Sequence, residues 1–231
     1  MTRYLDSTTL GDLALFQGLE LEQIEQLSHL MHRKTFVAGT PIIAAEEPGD
    51  AAYIILSGTV KIHAEQPDGS TVILSIFGAG EIVGEMSVID NIGRSATVVT
   101  LETSTLLAIN REAFDRCLQT MPIMTYNLVR ILSRRLRISG AQVQAIATLD
   151  VFGRVARQLL TFAQEYGQTT HDKGVLIPLR LTQSDLADLV GASRVRVNQV
   201  LVFFKQQQYI SVDSNNRITI LDPEALLQRC Q

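Results

Sequence analysis

The chain of 231 residues has only two cysteines, Cys117 and Cys230, and they stand far apart in the sequence. They form neither a CxxC pair nor the spacing of a metal site, so we expect no bound metal. So few unpaired cysteines are typical of a protein that works in a reducing compartment.

Long apolar runs are also missing. No stretch approaches the roughly 20 residues that span a bilayer, and we expect the first residues, MTRYLDSTTLGDLALF, not to act as a secretory signal. The sequence shows no P-loop, no nucleophile–base arrangement and no internal repeat. These absences predict a cytoplasmic protein that is not an enzyme and has no membrane partner.

A large excess of positive charge is absent as well. The chain has 20 Lys and Arg residues and 24 Asp and Glu residues, which gives a net charge of −4. Any nucleic-acid binding must therefore come from a local basic face. Hydrophobic residues make up 46% of the chain and charged residues 19%, so the chain can bury a core in one large or two small domains.

Short apolar runs separated by turn signals fill the region from about Thr35 to Asn110. Many short strands at this spacing predict an antiparallel sandwich or barrel. The turn signals all contain glycine, and they are Pro48-Gly49-Asp50, Ser57-Gly58, Pro67-Asp68-Gly69 and Gly78-Ala79-Gly80.

Helical spacing replaces this pattern from Arg111 to about Tyr166. Within it, residues at steps of three and four predict a heptad seam on a long helix that pairs with another helix; the alternative is packing on its own domain. The seam consists of Leu128, Leu132, Leu136, Ser139, Val143 and Ile146. Four arginines on this helix, Arg130, Arg134, Arg135 and Arg137, suit a solvated face or contact with an anionic ligand or partner.

The segment after Tyr166 predicts a strand pair around residues 171–174, two short helices and a hairpin. Thr182 and Ser193 are suited to cap the two helices, and Gly191-Ala192 supplies the tight turn between them. Two helices joined in this way form a helix-turn-helix. The following YISVDSNNRITIL predicts a wing, so we expect this unit to bind DNA; an ordinary helix pair with a polar face is the alternative.

The second predicted helix of this unit begins with polar side chains that suit base reading. Arginine donates bidentately to guanine, and asparagine or glutamine to adenine, in the major groove. The predicted DNA-binding residues are Thr182, Gln183, Ser193, Arg194, Val195, Arg196, Asn198 and Gln199.

Together with GEMSVIDNIGRSATV and EEPGDAAYIILSGTVKI, these features resemble the CRP/FNR family of bacterial transcription regulators over nearly the full length. The resemblance implies an α+β fold with an N-terminal antiparallel β-roll, a cyclic-nucleotide-binding jelly roll, at 1–122. A long dimerisation helix follows at 123–149, and a winged helix-turn-helix at 150–231.

In this family the GE…RSA stretch is a phosphate-binding cassette, so the resemblance implies a cyclic-nucleotide site. Arg94 can give the phosphate a forked pair of hydrogen bonds, completed by Ser95, and Glu85 can accept from the ribose 2′-hydroxyl. A Glu85–Arg94 ion pair that only braces the β-roll is the alternative. The implied ligand-binding residues are Leu74, Ser75, Val83, Gly84, Glu85, Met86, Arg94, Ser95, Ala96, Ser139 and Gly140.

The effector is predicted to be cAMP, with two alternatives. The cAMP receptors of the family hold adenine with a threonine and a serine, and the matching positions here are Ser139 and Gly140. Since Gly140 has no side chain to contact the base, two alternatives remain. The effector is a cyclic dinucleotide such as cyclic di-GMP, or the regulator needs no ligand. We expect no iron–sulfur cluster, because the N-terminal cysteines are missing, and no haem, because His63 stands alone in the predicted β-roll.

The recognition helix also differs from that of the cAMP receptor. The receptor has a glutamate where this sequence has Val195 and an arginine where it has Gln199, so we expect a different operator sequence. A homodimer places two recognition helices about 34 Å apart, which predicts palindromic promoter DNA. The resemblance also matches the loop Thr170 to Gly174 to a surface that contacts RNA polymerase; an exposed hairpin without a partner is the alternative.

Overall fold

The computed structural model describes residues 10–66, 69, 71–171 and 173–230. Pro67 and Asp68 of one predicted turn, and Asp172 of the predicted polymerase loop, lie outside the described residues. The described residues form two compact units. The first comprises those of Met1–Ile62 together with Ala79–Ile138, and the second those of His63–Gly78 together with Ser139–Gln231.

Most of the strands lie before residue 111. Helix α1 (Leu21–Leu30) precedes them, the short helix α2 (Glu85–Ile89) interrupts them and helix α3 (Arg111–Thr120) follows them. The strands are β1 (Met31–Phe36), β2 (Pro41–Ile43), β3 (Ala51–Ser57), β4 (Val60–Glu65), β5 (Thr71–Phe77), β6 (Ile82–Val83), β7 (Thr97–Thr100) and β8 (Ser104–Asn110).

These strands form two four-stranded sheets with the orders β1-β8-β3-β6 and β2-β7-β4-β5. Strand β8 pairs antiparallel with β1 and β3, β3 with β6, and β2 with β7. All side chains of β8 except that of Asn110 are buried. The core of the first unit gathers Leu27, Ile54, Leu107 and Phe114. The antiparallel β architecture predicted from the turn spacing is confirmed.

The predicted long helix is α4 (Pro122–Thr148). The predicted seam is wrong at its first two positions, because Leu128 is buried in the core of the first unit and Leu132 packs against that core. The apolar residues that α4 exposes by more than half recur at steps of three and seven, and the last three of them are positions of the predicted seam. They are Tyr126, Val129, Leu136, Val143 and Ile146.

The C-terminal part contains helices around a small sheet of order β11-β12-β10-β9. Its helices are α5 (Val151–Tyr166), α6 (Gln183–Val190), α7 (Arg194–Gln206) and α8 (Pro223–Gln228). Its strands are β9 (Gln168–Thr169), β10 (Val175–Ile177), β11 (Ile210–Val212) and β12 (Ile218–Ile220).

Helices α6 and α7 are the predicted helix-turn-helix, and β11 and β12 are the predicted wing. The fold is therefore α+β, as the sequence predicts. Among the helices of the described residues, none combines the length and the hydropathy needed to cross a membrane.

Candidate functional site

The cassette begins where strand β6 runs into helix α2 at Gly84. This residue has a φ of +79°, a conformation that favours glycine. A Cβ atom at this position would lie 2.6 Å from Nη1 of Arg94 and 2.8 Å from Cδ1 of Ile43. Glycine is therefore required both for the backbone conformation and for the close approach of the arginine.

The guanidinium of Arg94 is buried, with 8% of the residue exposed, and is held by three acceptors. Nη1 donates to the carbonyl oxygen of Gly84 and to Oγ of Ser87, both at 2.7 Å, and Nη2 donates to the carbonyl oxygen of Ala51 at 2.6 Å. These contacts use three of the five N–H donors of the side chain. Sequence reasoning missed Ser87 and Ala51.

Burial lowers the pKa of Arg94, while the negative charges that Tyr53 and Asp50 can carry act in the opposite direction. A buried cation is costly unless an anion compensates it. The cassette therefore presents a partly compensated cation, and an anionic group bound at Arg94 would offset part of that cost.

The carboxylate of Glu85 is 3% exposed and pairs with Arg135 of helix α4, not with Arg94 as the brace alternative expected. Nη1 of Arg135 donates to Oε1 of Glu85 at 2.8 Å. Nη2 of Arg135 donates to Oε2 of Glu81 and to the carbonyl oxygen of Ile82, both at 2.6 Å. Arg135 thus joins two buried carboxylates to the long helix.

Arg134 also forms an ion pair with Glu81, whose side chain is 7% exposed. Of the two alternatives for the arginines of this helix, a solvated face does not describe Arg134 and Arg135, because both contact buried carboxylates. Their partners lie about 50 residues earlier in the chain, and no local pattern distinguishes Arg134 and Arg135 from Arg130 and Arg137, which are exposed.

Burial raises the pKa of Glu85 above its ordinary value, although Arg135 acts in the opposite direction. The nearby Glu81 adds to the rise, because two negative charges repel each other. The carboxyl group is therefore harder to ionise here than in water. A ligand hydroxyl that donates to this carboxylate would favour its charged form.

The other predicted ligand residues fall into two groups. In the first unit Val83 and Ala96 are buried, while Met86 and Ser95 are exposed. In the second unit Leu74 and Ser75 lie on β5, and Ser139 and Gly140 lie on α4. The side chains of Leu74 and Ser139 are exposed. A Cβ atom on Gly140 would meet nothing within 4 Å.

The helix-turn-helix is capped as the sequence predicts. Oγ1 of Thr182 accepts from the backbone nitrogen of Asp185 at 3.1 Å, and Gly191 ends α6 with a φ of +63°. Oγ of Ser193 accepts from the backbone nitrogen of Arg196 at 3.3 Å at the start of α7. The inner face of α7 is buried through Val197, Val200, Leu201 and Phe204.

The outer face of α7 carries most, but not all, of the predicted DNA-binding side chains. Arg194, Val195, Arg196 and Gln199 are exposed. Asn198 is half-buried, and its Oδ1 accepts from Nε2 of Gln183 at 2.8 Å. Asn198 is thus less accessible than the exposed residues beside it, because its amide links the two helices of the motif.

A cavity of about 470 Å³ lies in the first unit. Its lining combines the N-terminal segment with α4 and includes three arginines. The lining residues are Ala14, Gln17, Tyr126, Asn127, Val129, Arg130, Ile131, Ser133, Arg134 and Arg137. Tyr126 and Val129 belong to the exposed apolar stripe of α4, so the cavity adjoins that stripe.

Two family models match the chain. Residues 33–121 match a cyclic nucleotide-binding domain, and residues 153–229 match a Crp-like helix-turn-helix domain. The first range contains the whole cassette, and the second contains the capped helix pair and its wing. These matches confirm the predicted order of the two functional parts.

Named relatives match over most of their length. The chain is 35% identical to a CRP-like cAMP-activated global transcriptional regulator of Mycobacterium tuberculosis, over 96% of this chain and 98% of the relative. It is 32% identical to the cyclic AMP receptor protein of Thermus thermophilus, over 81% of this chain and 83% of the relative. Transcriptional regulation, rather than catalysis, is thus what the similarity supports, as predicted.

Among solved structures, the chain is similar to the c-di-GMP-responsive global regulator CLP of Xanthomonas campestris. The TM-score is 0.70 and the sequence identity 28%, over 87% of this chain and 99% of that chain. The relatives thus include proteins that respond to two different cyclic nucleotides.

Proposed function

Because the chain belongs to the CRP/FNR family of transcription regulators, we propose that it is a homodimer whose DNA binding is controlled by cAMP. The single observation that carries this proposal is the cassette, in which Gly84, Glu85 and Arg94 lie together with both charges buried. Buried ionisable groups with shifted pKa values cluster at functional sites.

The phosphate of the nucleotide is proposed to bind Arg94. Two of its five N–H donors remain after the contacts to Gly84, Ser87 and Ala51, which is enough for one forked interaction with two phosphate oxygens. The exposed Ser95 adds a hydroxyl next to it. The ribose 2′-hydroxyl is proposed to donate to Glu85, and Val83, Met86, Ala96, Leu74 and Ser75 to complete the walls.

The base is proposed to be adenine, contacted by Ser139 and by the backbone at Gly140. The Mycobacterium relative, 35% identical over nearly its whole length, is cAMP-activated, which supports this choice. The second candidate is cyclic di-GMP. The open space around Gly140 and the c-di-GMP-responsive Xanthomonas structure favour it.

A regulator that needs no ligand is the third candidate, and one observation favours it. The ion pairs of Glu85 and Glu81 with Arg135, and the three contacts of Arg94, give each buried charge a partner within the protein. In that case the cassette only braces the first unit.

The second copy of the chain is proposed to dock on the exposed apolar stripe of α4. Tyr126, Val129 and Leu136 are more than half exposed, and Val143 continues their spacing. Apolar residues at steps of seven form the seam of paired helices. The adjoining cavity at Tyr126 and Val129 offers room for side chains of the second helix.

DNA is proposed to be a palindrome that receives α7 of each protomer in successive major grooves about 34 Å apart. The proposed contacts with the DNA bases come from Arg194, Val195, Arg196 and Gln199. The proposed contacts with the DNA backbone come from Thr182, Gln183 and Ser193, and Asn198 is proposed to support Gln183.

The domains are proposed to span 1–122, 123–149 and 150–231. The described part of the loop at 170–174 is a candidate RNA polymerase contact, and such a regulator is proposed to act in the cytoplasm.

Calorimetric titration of the full chain with cAMP, cGMP and cyclic di-GMP tests the effector. We expect micromolar or tighter cAMP binding, lost by at least about tenfold in Arg94→Leu because two charge-assisted hydrogen bonds disappear. Arg33→Leu, which removes an exposed arginine from β1, is the matched control and should bind as wild type. Binding of cyclic di-GMP alone would select the second candidate, and no binding of any nucleotide the third.

A further inference from the structure

Phe152, the second residue of α5, lies against an arginine of the recognition helix. The Cζ atom of Arg196 stands 5.4 Å from the centroid of the Phe152 ring, within the range of a cation–π contact. Both residues belong to the second unit, although 44 positions separate them in the sequence. Sequence reasoning gave Arg196 a role in DNA binding and gave Phe152 none.

The ring of Phe152 is fixed by its surroundings. It packs edge-on against Phe203, with centroids 5.5 Å apart, and against the fully buried Phe204, with centroids 6.0 Å apart. Its backbone is set by the start of α5, where Oδ1 of Asp150 accepts from the nitrogen of Gly153 at 2.8 Å. Phe152 therefore offers a rigid surface beside the recognition helix.

The side chain of Arg196 is held at a second point. Its Nη1 donates to Oε1 of Gln199, one turn further along α7, at 3.1 Å. The guanidinium thus rests between a ring and an amide while the residue remains exposed. A guanidinium that contacts an aromatic ring through its face keeps its other N–H groups, at its edge, available to an acceptor.

We propose that Phe152 is a positioning residue that holds Arg196 ready for its DNA contact. A free arginine loses much side-chain entropy when it is ordered on binding, and an arginine already held in place loses less. The ring supplies this order without using any of the hydrogen-bond donors. This inference rests on the proposed function, because it assumes that α7 binds DNA.

Double-mutant cycles on the full chain test the inference. An operator duplex is selected from random DNA, and its affinity is measured at one fixed salt concentration. Phe152→Leu, which keeps an apolar side chain but removes the ring, should weaken binding about two- to fivefold. Phe152→Tyr, which keeps the ring, should bind within about twofold of wild type.

The cycle with Arg196 separates positioning from a general structural role. In an Arg196→Ala background, Phe152→Leu should have no further effect on operator affinity. In an Arg194→Ala background, it should keep its full two- to fivefold effect, since Arg194 is an exposed neighbour on the same helix. Unfolding midpoints of all variants accompany the affinities.

Two outcomes overturn the inference alone. One is an unchanged or stronger operator affinity of Phe152→Leu. The other is an equal loss in the Arg194→Ala and Arg196→Ala backgrounds, which would make Phe152 a general support of the domain. If the wild-type chain selects no DNA at all, the proposed function fails together with the inference.

Discussion

At the scale of single residues, the cassette depends on two buried charges that are satisfied in different ways. Arg94 donates mainly to backbone carbonyl oxygens, which fixes it against Gly84 and Ala51. Glu85 depends on Arg135, a residue of another element. Removing either side chain leaves buried polar groups without their partners. Each removal should therefore change the free energy of unfolding, which can be measured.

Arg94→Leu should lower the free energy of unfolding by about 1–3 kcal/mol, because the acceptors on Gly84, Ser87 and Ala51 lose their donor. Urea unfolding followed by circular dichroism measures the change. Arg33→Leu on the exposed strand β1 should stay within about 0.5 kcal/mol of wild type. Equal unfolding free energies for Arg94→Leu and wild type would show that these three contacts do not stabilise the fold.

Glu85 should give the stability a pH dependence, because burial raises the pKa of its carboxyl group. The unfolded chain releases this proton near pH 4.3, the ordinary glutamate value, whereas the folded chain retains it to a higher pH. The folded state then binds more protons, so stability falls as the pH rises between the two pKa values.

Comparison with Glu85→Gln isolates this effect, since glutamine does not titrate. The unfolding free energy of wild type minus that of Glu85→Gln should decrease from about pH 4.3 upwards and then level off. Denaturant unfolding at a series of pH values measures the difference. A difference that increases over this range would mean that Arg135 outweighs burial and lowers the pKa.

The sequence predicted which residues of the cassette come together but not how they are paired. Gly84, Glu85 and Arg94 are ten positions apart or fewer, so a local motif identifies them. The pairing of Glu85 with Arg135 and the contact of Arg94 with Ala51 join residues more than 40 positions apart. Such contacts follow from how the elements pack, and they leave no periodic trace in the sequence.

At the scale of elements, the helix-turn-helix is specified locally and the long helix is not. Thr182 and Ser193 cap their helices as predicted, because each cap depends only on the next two or three residues, and Gly191 lies in the predicted turn between them. The predicted seam of α4 fails at its first two positions, because Leu128 and Leu132 obey heptad spacing and yet lie in or against the core of the first unit. Spacing alone does not show which partner an apolar stripe contacts.

Ser193→Ala should destabilise α7 by about 1 kcal/mol, since the backbone nitrogen of Arg196 loses its acceptor. Thermal or urea unfolding of the full chain measures this cost. The control is Ser214→Ala in the exposed turn of the wing, which should change stability by less than about 0.5 kcal/mol. Equal effects of the two substitutions would show that the cap contributes nothing specific.

Leu136→Glu should dissociate the proposed dimer, because it places a charge in the middle of the exposed stripe of α4. Sedimentation velocity gives the mass of the particle at micromolar concentration. Gln144→Glu adds the same carboxylate at an exposed position one residue after Val143 and should remain dimeric. A dimer that survives Leu136→Glu would place the interface on another surface.

At the scale of the whole molecule, the proposed regulation is a coupling between two binding events. A cyclic nucleotide shifts the protein towards the DNA-binding arrangement only by its greater affinity for that arrangement. The coupling is reciprocal, so operator DNA must strengthen nucleotide binding by the same factor. Typical couplings of 1–3 kcal/mol correspond to about 5- to 150-fold.

The measurement that tests this account most directly is the affinity of the selected operator duplex for the full chain, with and without saturating cAMP, at one salt concentration. The account predicts at least about fivefold tighter binding with cAMP, and no such gain in Arg94→Leu. Cyclic di-GMP is measured in parallel to test the second candidate. An operator affinity that is the same with either nucleotide and without one would contradict the account and leave the cassette as a structural brace.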